Sequence, residues 1–408
     1  MVIWSVFPSE RTPLGLTSYA EHRQTAIPPR QALMKLAVVT SIPTPYRDPF
    51  WNEVAAHSEV ESLDVYYCAA GKPDRPWEVN WERTFNAHTL PSYNLIKWAG
   101  ADASAYWVRG LQRELKRGSH DAVIIGGYNH PSMLQTIRGC VKRRQPFYMM
   151  CETYRRQKTW KSFAKDRLMA YICKHAMGGM PTGQLATAYL KSYGMSEDQM
   201  ILVPNVPDVR QLWRLSEELG DQSAAIRGEH KLTVEGSILT FIGRLIPKKR
   251  PELVIRAFAR FAPADAGMIL VGDGPLMENC RSLVNELGLS NRVVMPGFCQ
   301  PEEVPRYLAA SRAFVLPSSE TWGVAALEAV AMGVPAIISD EVGCHPDVVS
   351  SGECGTVVKA RDLESLGQAM GLWLSGRPAD SSVVAATTEK FTYDSVARRL
   401  VQGVGAAL

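Results

Sequence analysis

Pro317-Ser318-Ser319-Glu320-Thr321-Trp322-Gly323-Val324-Ala325-Ala326-Leu327-Glu328-Ala329-Val330-Ala331-Met332-Gly333-Val334-Pro335 is the stretch on which the reading of this sequence turns. The apolar run Ala313–Leu316 just before it reads as a buried strand. The polar residues that follow read as a short loop, and a helix begins near Gly323. The first amides of such a helix lack partners and favour anions, by about 0.3–1 kcal/mol when exposed. Glu320 precedes the helix and Glu328 lies more than one turn inside it. Two carboxylates so spaced can grip two parts of one extended ligand, its anionic centre over the amides between them. An acidic first turn with a surface Glu would leave the same letters.

Outward from this stretch, the second half alternates apolar runs with helical patterns. Ile238–Gly243, Met268–Gly272, Arg292–Met295 and Ala336–Ser339 join Ala313–Leu316 as predicted strands. Helices such as Pro251–Phe261 and Met277–Leu287 separate them. The first half offers Leu36–Thr40, Leu63–Cys68, Ala122–Gly126 and Phe147–Met150 as strands. Alternation of this kind predicts an α/β fold of parallel sheets with helices on both faces. The weakly patterned joint is Val203-Pro204-Asn205-Val206-Pro207-Asp208, whose prolines and Asx residues read as an interdomain turn. We therefore expect two doubly wound domains, residues 35–206 and 207–390, with residues 391–408 forming a helix that packs back on the first.

Ligands of doubly wound sheets collect at the carboxyl ends of the strands. The loop Gly243-Arg244-Leu245-Ile246-Pro247-Lys248-Lys249-Arg250 leaves such an end. Gly243 permits close backbone approach, while Arg244 supplies a fork and Lys249 a point charge, a pair suited to a diphosphate. A solvated basic turn explains the loop equally well. Val271-Gly272-Asp273-Gly274-Pro275 carries half of a dinucleotide fingerprint without its third glycine, and reads better as a plain strand-to-helix turn.

The order and spacing of the three segments remove most of the ambiguity. Over about residues 200–375 the chain resembles the retaining glycosyltransferases of family 4, which use the two-domain GT-B fold; over residues 35–200 the resemblance is loose. It rests on Gly243-Arg244-Leu245 with Lys249, on Val271-Gly272-Asp273-Gly274-Pro275, and on the Glu320…Glu328 pair in its Pro-Ser…Glu-x-Trp-Gly setting. Met332-Gly333-Val334-Pro335, Gly343 and the Gly352…Gly355-Thr356-Val357 turn complete the run. The resemblance implies two Rossmann-like domains facing each other across a cleft. It implies that Arg244 and Lys249 neutralise the diphosphate of a nucleotide-sugar donor, that Glu320 binds sugar hydroxyls and that Glu328 holds the ribose. Gly243 and Thr321 would line the same donor site, and the amides of Trp322, Gly323 and Val324 would hold sugar and phosphate oxygens. No metal and no cofactor beyond the nucleotide sugar is implied, and no Asp-x-Asp suggests one.

The chain departs from that pattern in places. Arg250 stands where many relatives have Gly, and Trp322 replaces the commoner Phe. The first strand-to-helix loop, Ser41-Ile42-Pro43-Thr44-Pro45-Tyr46-Arg47-Asp48-Pro49, lacks the paired glycines with which relatives approach the donor. It reads as a rigid segment shaping the acceptor side, with Arg47 as an anion contact or a surface ion-pair partner. From Gly126-Gly127-Tyr128-Asn129-His130-Pro131, both His130 and Tyr128 are candidates for a polar contact to the sugar, with Glu152 as a competitor. A loop histidine making one hydrogen bond is the plainer reading of His130.

Composition narrows the rest. With 46% hydrophobic and 21% charged residues, the chain is neither disordered nor fibrous, and no run of about 18 apolar residues offers a spanning helix. Residues 1–34 show no helical or strand period and no secretory-signal pattern, and are expected to be a leader outside the first domain. Eight cysteines without zinc or Cys-x-x-Cys spacing fit a reducing cytoplasm. The net charge of +4 hides an asymmetry: Arg109–Lys174 carries 15 Lys or Arg against 4 Asp or Glu, a balance of +11, leaving −7 elsewhere. Within it, Tyr154–Lys174 interleaves basic residues with Trp160, Phe163, Leu168 and Tyr171 and reads as an interfacial amphipathic helix or as a core helix with a basic face. The expected partners are a nucleotide sugar, a glycan or lipid-linked acceptor and the anionic inner face of a membrane. A nucleic-acid-binding protein lacks a recognition motif here, and a sugar-nucleotide epimerase of the same fold is the nearer alternative.

Overall fold

The computed structural model describes residues 33–71, 82–96, 104–154, 163–349, 352–376 and 379–408. Residues 1–32 of the expected leader, and Trp160 with its basic neighbours Arg155, Arg156, Lys158 and Lys161, lie outside them.

The first lobe lays down β1 (Met34–Thr40), β2 (Val60–Tyr67), β3 (Asn86–Thr89), β4 (Ser92–Asn94), β5 (Tyr106–Val108), β6 (Ala122–Ile125), β7 (Phe147–Cys151) and β8 (Gly178–Pro181). Six of them form one parallel sheet, β3-β2-β1-β6-β7-β8, while β4 and β5 pair antiparallel apart from it. Along β1, Leu36 and Val38 enter one core cluster and Ala37 and Val39 another, all fully buried. A strand covered on both faces must be apolar at every position, which is why Leu36–Val39 does not alternate.

The second lobe lays down β9 (Ile238–Ile242), β10 (Gly267–Val271), β11 (Val293–Gly297), β12 (Ala313–Leu316), β13 (Ala336–Ser339) and β14 (Gly355–Val358). Its sheet runs β11-β10-β9-β12-β13-β14, again parallel. Counted in chain order, the strands of both sheets read 3-2-1-4-5-6. In such an order the connections leave in opposite directions beside the first strand, which opens a crevice at the carboxyl ends. The crevices therefore lie between β1 and β6 and between β9 and β12. The loops beginning at Ser41, Gly126, Gly243 and Pro317 line them.

Chain crossings tie the lobes together. Helix Val209–Leu219 starts the second lobe, its N-cap Asp208 accepting from the Gln211 amide at 2.9 Å. The last helix, Tyr393–Gly405, returns to the first lobe. Arg399 donates to the Leu202 carbonyl at 3.0 Å, and the Phe50 and Tyr393 rings lie 6.4 Å apart. Val396, Ala397, Leu400, Val401 and Val404 on this helix are buried. The expected strands leave out β3, β4, β5, β8 and β14. The Gly355–Val357 segment, expected to be a turn, is edge strand β14, and Gly178–Pro181 is buried β8.

Candidate active site

At the second-lobe switch point the loop after β9 and the loop after β12 come together. Lys249 Nζ lies 2.8 Å from Glu320 Oε1, and both side chains are 18% exposed. Two groups assigned to one site from separate segments thus meet as an ion pair. Arg244 on the same loop is exposed. The loop holds its shape by backbone bonds from Gly243 to Val271 and from Leu245 to Asp273, each about 3 Å. Gly272 has φ +133°, and a Cβ there would stand 2.1 Å from the Gly243 carbonyl oxygen. The glycine turn after β10 thus serves to pack against the Gly243–Leu245 loop, in keeping with the plain-turn reading.

The helix after β12 spans Val324–Ala331, with Gly323 at its N-cap in a left-handed conformation. It starts just past the carboxyl end of β12, beside the crevice, and its opening amides lack intrahelical partners. Glu328 is half-buried within it, and burial pushes its carboxyl up to about 7. Its carboxyl makes no hydrogen bond or ion pair among the described residues. The Trp322 indole turns the other way. It is 2% exposed, stacks edge-on with Phe391 at 6.1 Å and abuts Gly183 of the first lobe. The Trp322 ring thus belongs to the contact between lobes.

Arg250 proves to be a brace. Its Nη1 donates to the Pro317 carbonyl at 2.5 Å, and its Nη2 pairs with the Glu341 carboxylate. The Glu341 carbonyl accepts from the Glu320 amide and from the Tyr154 hydroxyl of the first lobe. Arg250 has φ +56°, a conformation that costs a non-glycine residue about 1 kcal/mol and that glycine adopts freely. The guanidinium bridge compensates for that cost by fixing the Glu320 loop. Arg250→Gly is accordingly expected to keep or raise the melting temperature while lowering kcat about tenfold, the equivalent of one net charged hydrogen bond. An unchanged kcat in this variant would refute the brace.

The first-lobe candidates separate. His130 is 4% exposed and caps helix Pro131–Arg143. The Tyr106 amide donates to its Nδ1 at 3.4 Å, so Nε2 carries the proton and donates to the Ser41 hydroxyl at 3.0 Å. Its ring thereby joins the β1 loop, the β6 loop and β5. Tyr128 is half-buried beneath Lys165, whose Nζ lies 5.7 Å from the ring centroid. Glu152, at the end of β7, reaches further across: it accepts from Asn205 at 2.8 Å and from the Thr321 hydroxyl at 3.4 Å. A second tie runs from the amide of Gln184, at a helix start, to the Asp347 carboxylate at 3.1 Å. Burial raises the Asp347 pKa, the Gln184 amide opposing it. Neither Tyr154 nor Asp347 has a local sequence signal, since each acts on a partner more than 160 residues away.

Residues 222–390 match the family described as glycosyl transferases group 1. That part of the chain belongs to this family. Among curated proteins, the D-inositol 3-phosphate glycosyltransferase of Nocardia farcinica is 29% identical over 240 residues, 56% of this chain and 52% of its own. The GDP-mannose-dependent α-(1-6)-phosphatidylinositol monomannoside mannosyltransferase of Mycolicibacterium smegmatis is 29% identical over 175 residues, 40% and 42% of the two chains. The chain thus spans about half, or less, of the length of these curated relatives. Among solved structures, the lipopolysaccharide outer core galactosyltransferase WaaB superposes with a TM-score of 0.69 at 16% identity, covering 92% of this chain and 100% of its own. Anabaena HepE in complex with UDP gives 0.69 at 15% identity, covering 91% and 100%. The fold of the chain is GT-B.

Proposed function

We propose that this chain is a retaining glycosyltransferase that moves a sugar from a nucleoside diphosphate to a glycan or lipid-linked acceptor. The observation that carries the reading is the meeting of Lys249 and Glu320 beside the start of helix Val324–Ala331, at the switch point of the second sheet. The diphosphate would lie over the amides at Trp322, Gly323 and Val324, with Arg244 and Lys249 neutralising it and Gly243 and Thr321 lining the site. Glu320 would bind sugar hydroxyls and Glu328 the ribose. In the reaction the bond from the anomeric carbon to the diphosphate oxygen breaks, and the acceptor oxygen bonds to that carbon on the same face. The acceptor proton passes to the departing diphosphate oxygen, so no enzyme nucleophile and no metal is required. Cations and amides fixed before charge develops on the leaving group lower the barrier more than groups that only bind substrate.

Helix Phe163–His175 supports an acceptor at an anionic membrane surface. Phe163 and Tyr171 are exposed on it, and Arg167 lies over the Phe163 ring. No helix among the described residues is long and apolar enough to cross a membrane. A thermal-shift screen of UDP-, GDP- and ADP-sugars, with NAD, DNA and anionic vesicles as further arms, tests the whole reading. Stabilisation by one nucleotide sugar is the expected result. Stabilisation by NAD or DNA alone would overturn it.

A further inference from the structure

Arg47 closes the loop after β1, at the switch point of the first sheet, and caps helix Asp48–Ala55. Its backbone is fixed, the amide donating to the Thr44 carbonyl and hydroxyl oxygens, each at 3.2 Å. Its guanidinium lies 5.8 Å from the Phe50 ring centroid. Both terminal nitrogens are buried and have no hydrogen-bond partner among the described residues. Asn205 Oδ1 is buried and unpartnered likewise. Buried donors without acceptors are costly, more so when charged, and a guanidinium cannot escape the cost by releasing its proton. Burial does pull its pKa down, with Glu152, Tyr46 and Tyr393 acting in the opposite direction.

These neighbours locate it. Glu152 contacts the Thr321 hydroxyl, one residue before Trp322 and the helix start that faces the crevice. Tyr393 in turn feels the charges of Asp208 and Glu328. Arg47 therefore stands at the switch point of the first sheet, close to Glu152, which reaches Thr321 of the second lobe. Glu152 does not meet it at ion-pair distance and already accepts from Asn205 and Thr321. What the unspent nitrogens of a guanidinium fit best is an oxyanion presented as a fork of two acceptors.

We propose that Arg47 is the first lobe's ligand for the sugar-bearing phosphate of the donor, acting with Arg244 and Lys249 from the second lobe; this rests on the donor reading given above. Its side chain does here what a loop with paired glycines does through its backbone. It also makes the leaving group the point where both lobes meet, so the cation that receives the departing charge is in place only when the lobes are together. On this assignment Arg47 serves the donor rather than the acceptor side expected from the loop sequence.

The test is isothermal titration of wild type, Arg47→Gln and Arg47→Lys with UDP, GDP and ADP and with the corresponding monophosphates. For the diphosphate that wild type binds, Kd should rise at least tenfold in Arg47→Gln and recover in part in Arg47→Lys. Kd for the monophosphate should change less than twofold. An unchanged diphosphate Kd overturns the proposal, and a raised acceptor KM beside it would return Arg47 to the acceptor side. Equal losses for mono- and diphosphate would also refute the sugar-bearing phosphate as its target. Circular dichroism of Arg47→Lys guards against a folding defect, since this variant keeps charge and packing. Wild type binding none of the three diphosphates would instead sink the donor reading itself.

Discussion

Lys249→Ala is expected to lower kcat by about 10²–10³-fold, the loss found when one preorganised charge donor is removed from a transition state, about 2.7–4 kcal/mol. Lys249 sits where the diphosphate would gain charge, 2.8 Å from Glu320. Glu320→Ala should lose activity on a similar scale, because it frees Lys249 to close on the phosphate in the wrong place. The double variant should then fall well short of the product of the two losses, since the pair acts as one unit. Removing one partner of this largely buried pair should also lower stability, by up to about 3–5 kcal/mol. The melting temperature of each variant is therefore read beside its activity, and the double variant, which leaves neither charge unpaired, should be the more stable. Steady-state kinetics with the nucleotide sugar found in the screen reads this out. Full activity in either single variant would dismantle the site assignment.

Glu328→Gln carries the second large effect and splits by pH. Burial places the native carboxyl near 7, above its ordinary 4.5. A carboxyl raised on folding contributes its stability below 4.5 and loses it as pH rises toward 7, because the folded state holds the proton that the unfolded state releases. Gln cannot ionise, so the variant should be more stable than wild type at pH 8, by up to about 3 kcal/mol, and equal to it near pH 4. Donor binding should move the other way. Ribose hydroxyls donate best to an ionised carboxylate, so donor KM at pH 8 should rise about 10–100-fold, a charged hydrogen bond being worth about 1.5–3 kcal/mol. Toward pH 6 the difference should shrink as native Glu328 takes up its own proton. A donor KM indifferent to the substitution at pH 8 would remove Glu328 from the ribose site.

How far the sequence reaches can be seen element by element. Strands such as Ala313–Leu316 and Ala336–Ser339 are found at their expected bounds, because a fully buried parallel strand must be apolar throughout. β8 escapes notice because its Gly178 and Gly179 carry no strand propensity. They are small because a Cβ at Gly178 would meet the Gln199 carbonyl at 2.4 Å, and one at Gly179 the Leu190 and Met195 side chains at 2.6 Å. Packing, not propensity, makes that strand. As candidates, Lys249 is legible from the basic loop that leaves a strand end, and Glu320 and Glu328 from their spacing of eight about a helix start. Arg250 reads as loop charge, since only the tertiary structure shows Pro317 and Glu341 within its reach. Tyr154 and Asp347 work across the lobes, where local pattern carries no information, and Glu152, a candidate for the sugar contact, makes a tie between lobes that its sequence neighbours do not signal.

The return of Tyr393–Gly405 to the first lobe has a consequence for synthesis. Val396, Leu400 and Val404 complete a core begun by Leu36 and Val38, more than 350 residues earlier. As the chain leaves the ribosome, the first lobe emerges with that face bare, and it stays bare while the entire second lobe is made. At about 5–20 residues per second this interval lasts tens of seconds. The second lobe can close on its own sheet before then. The lobe made first is thus the lobe finished last, and a nascent chain stalled before Tyr393 presents an open apolar face to chaperones.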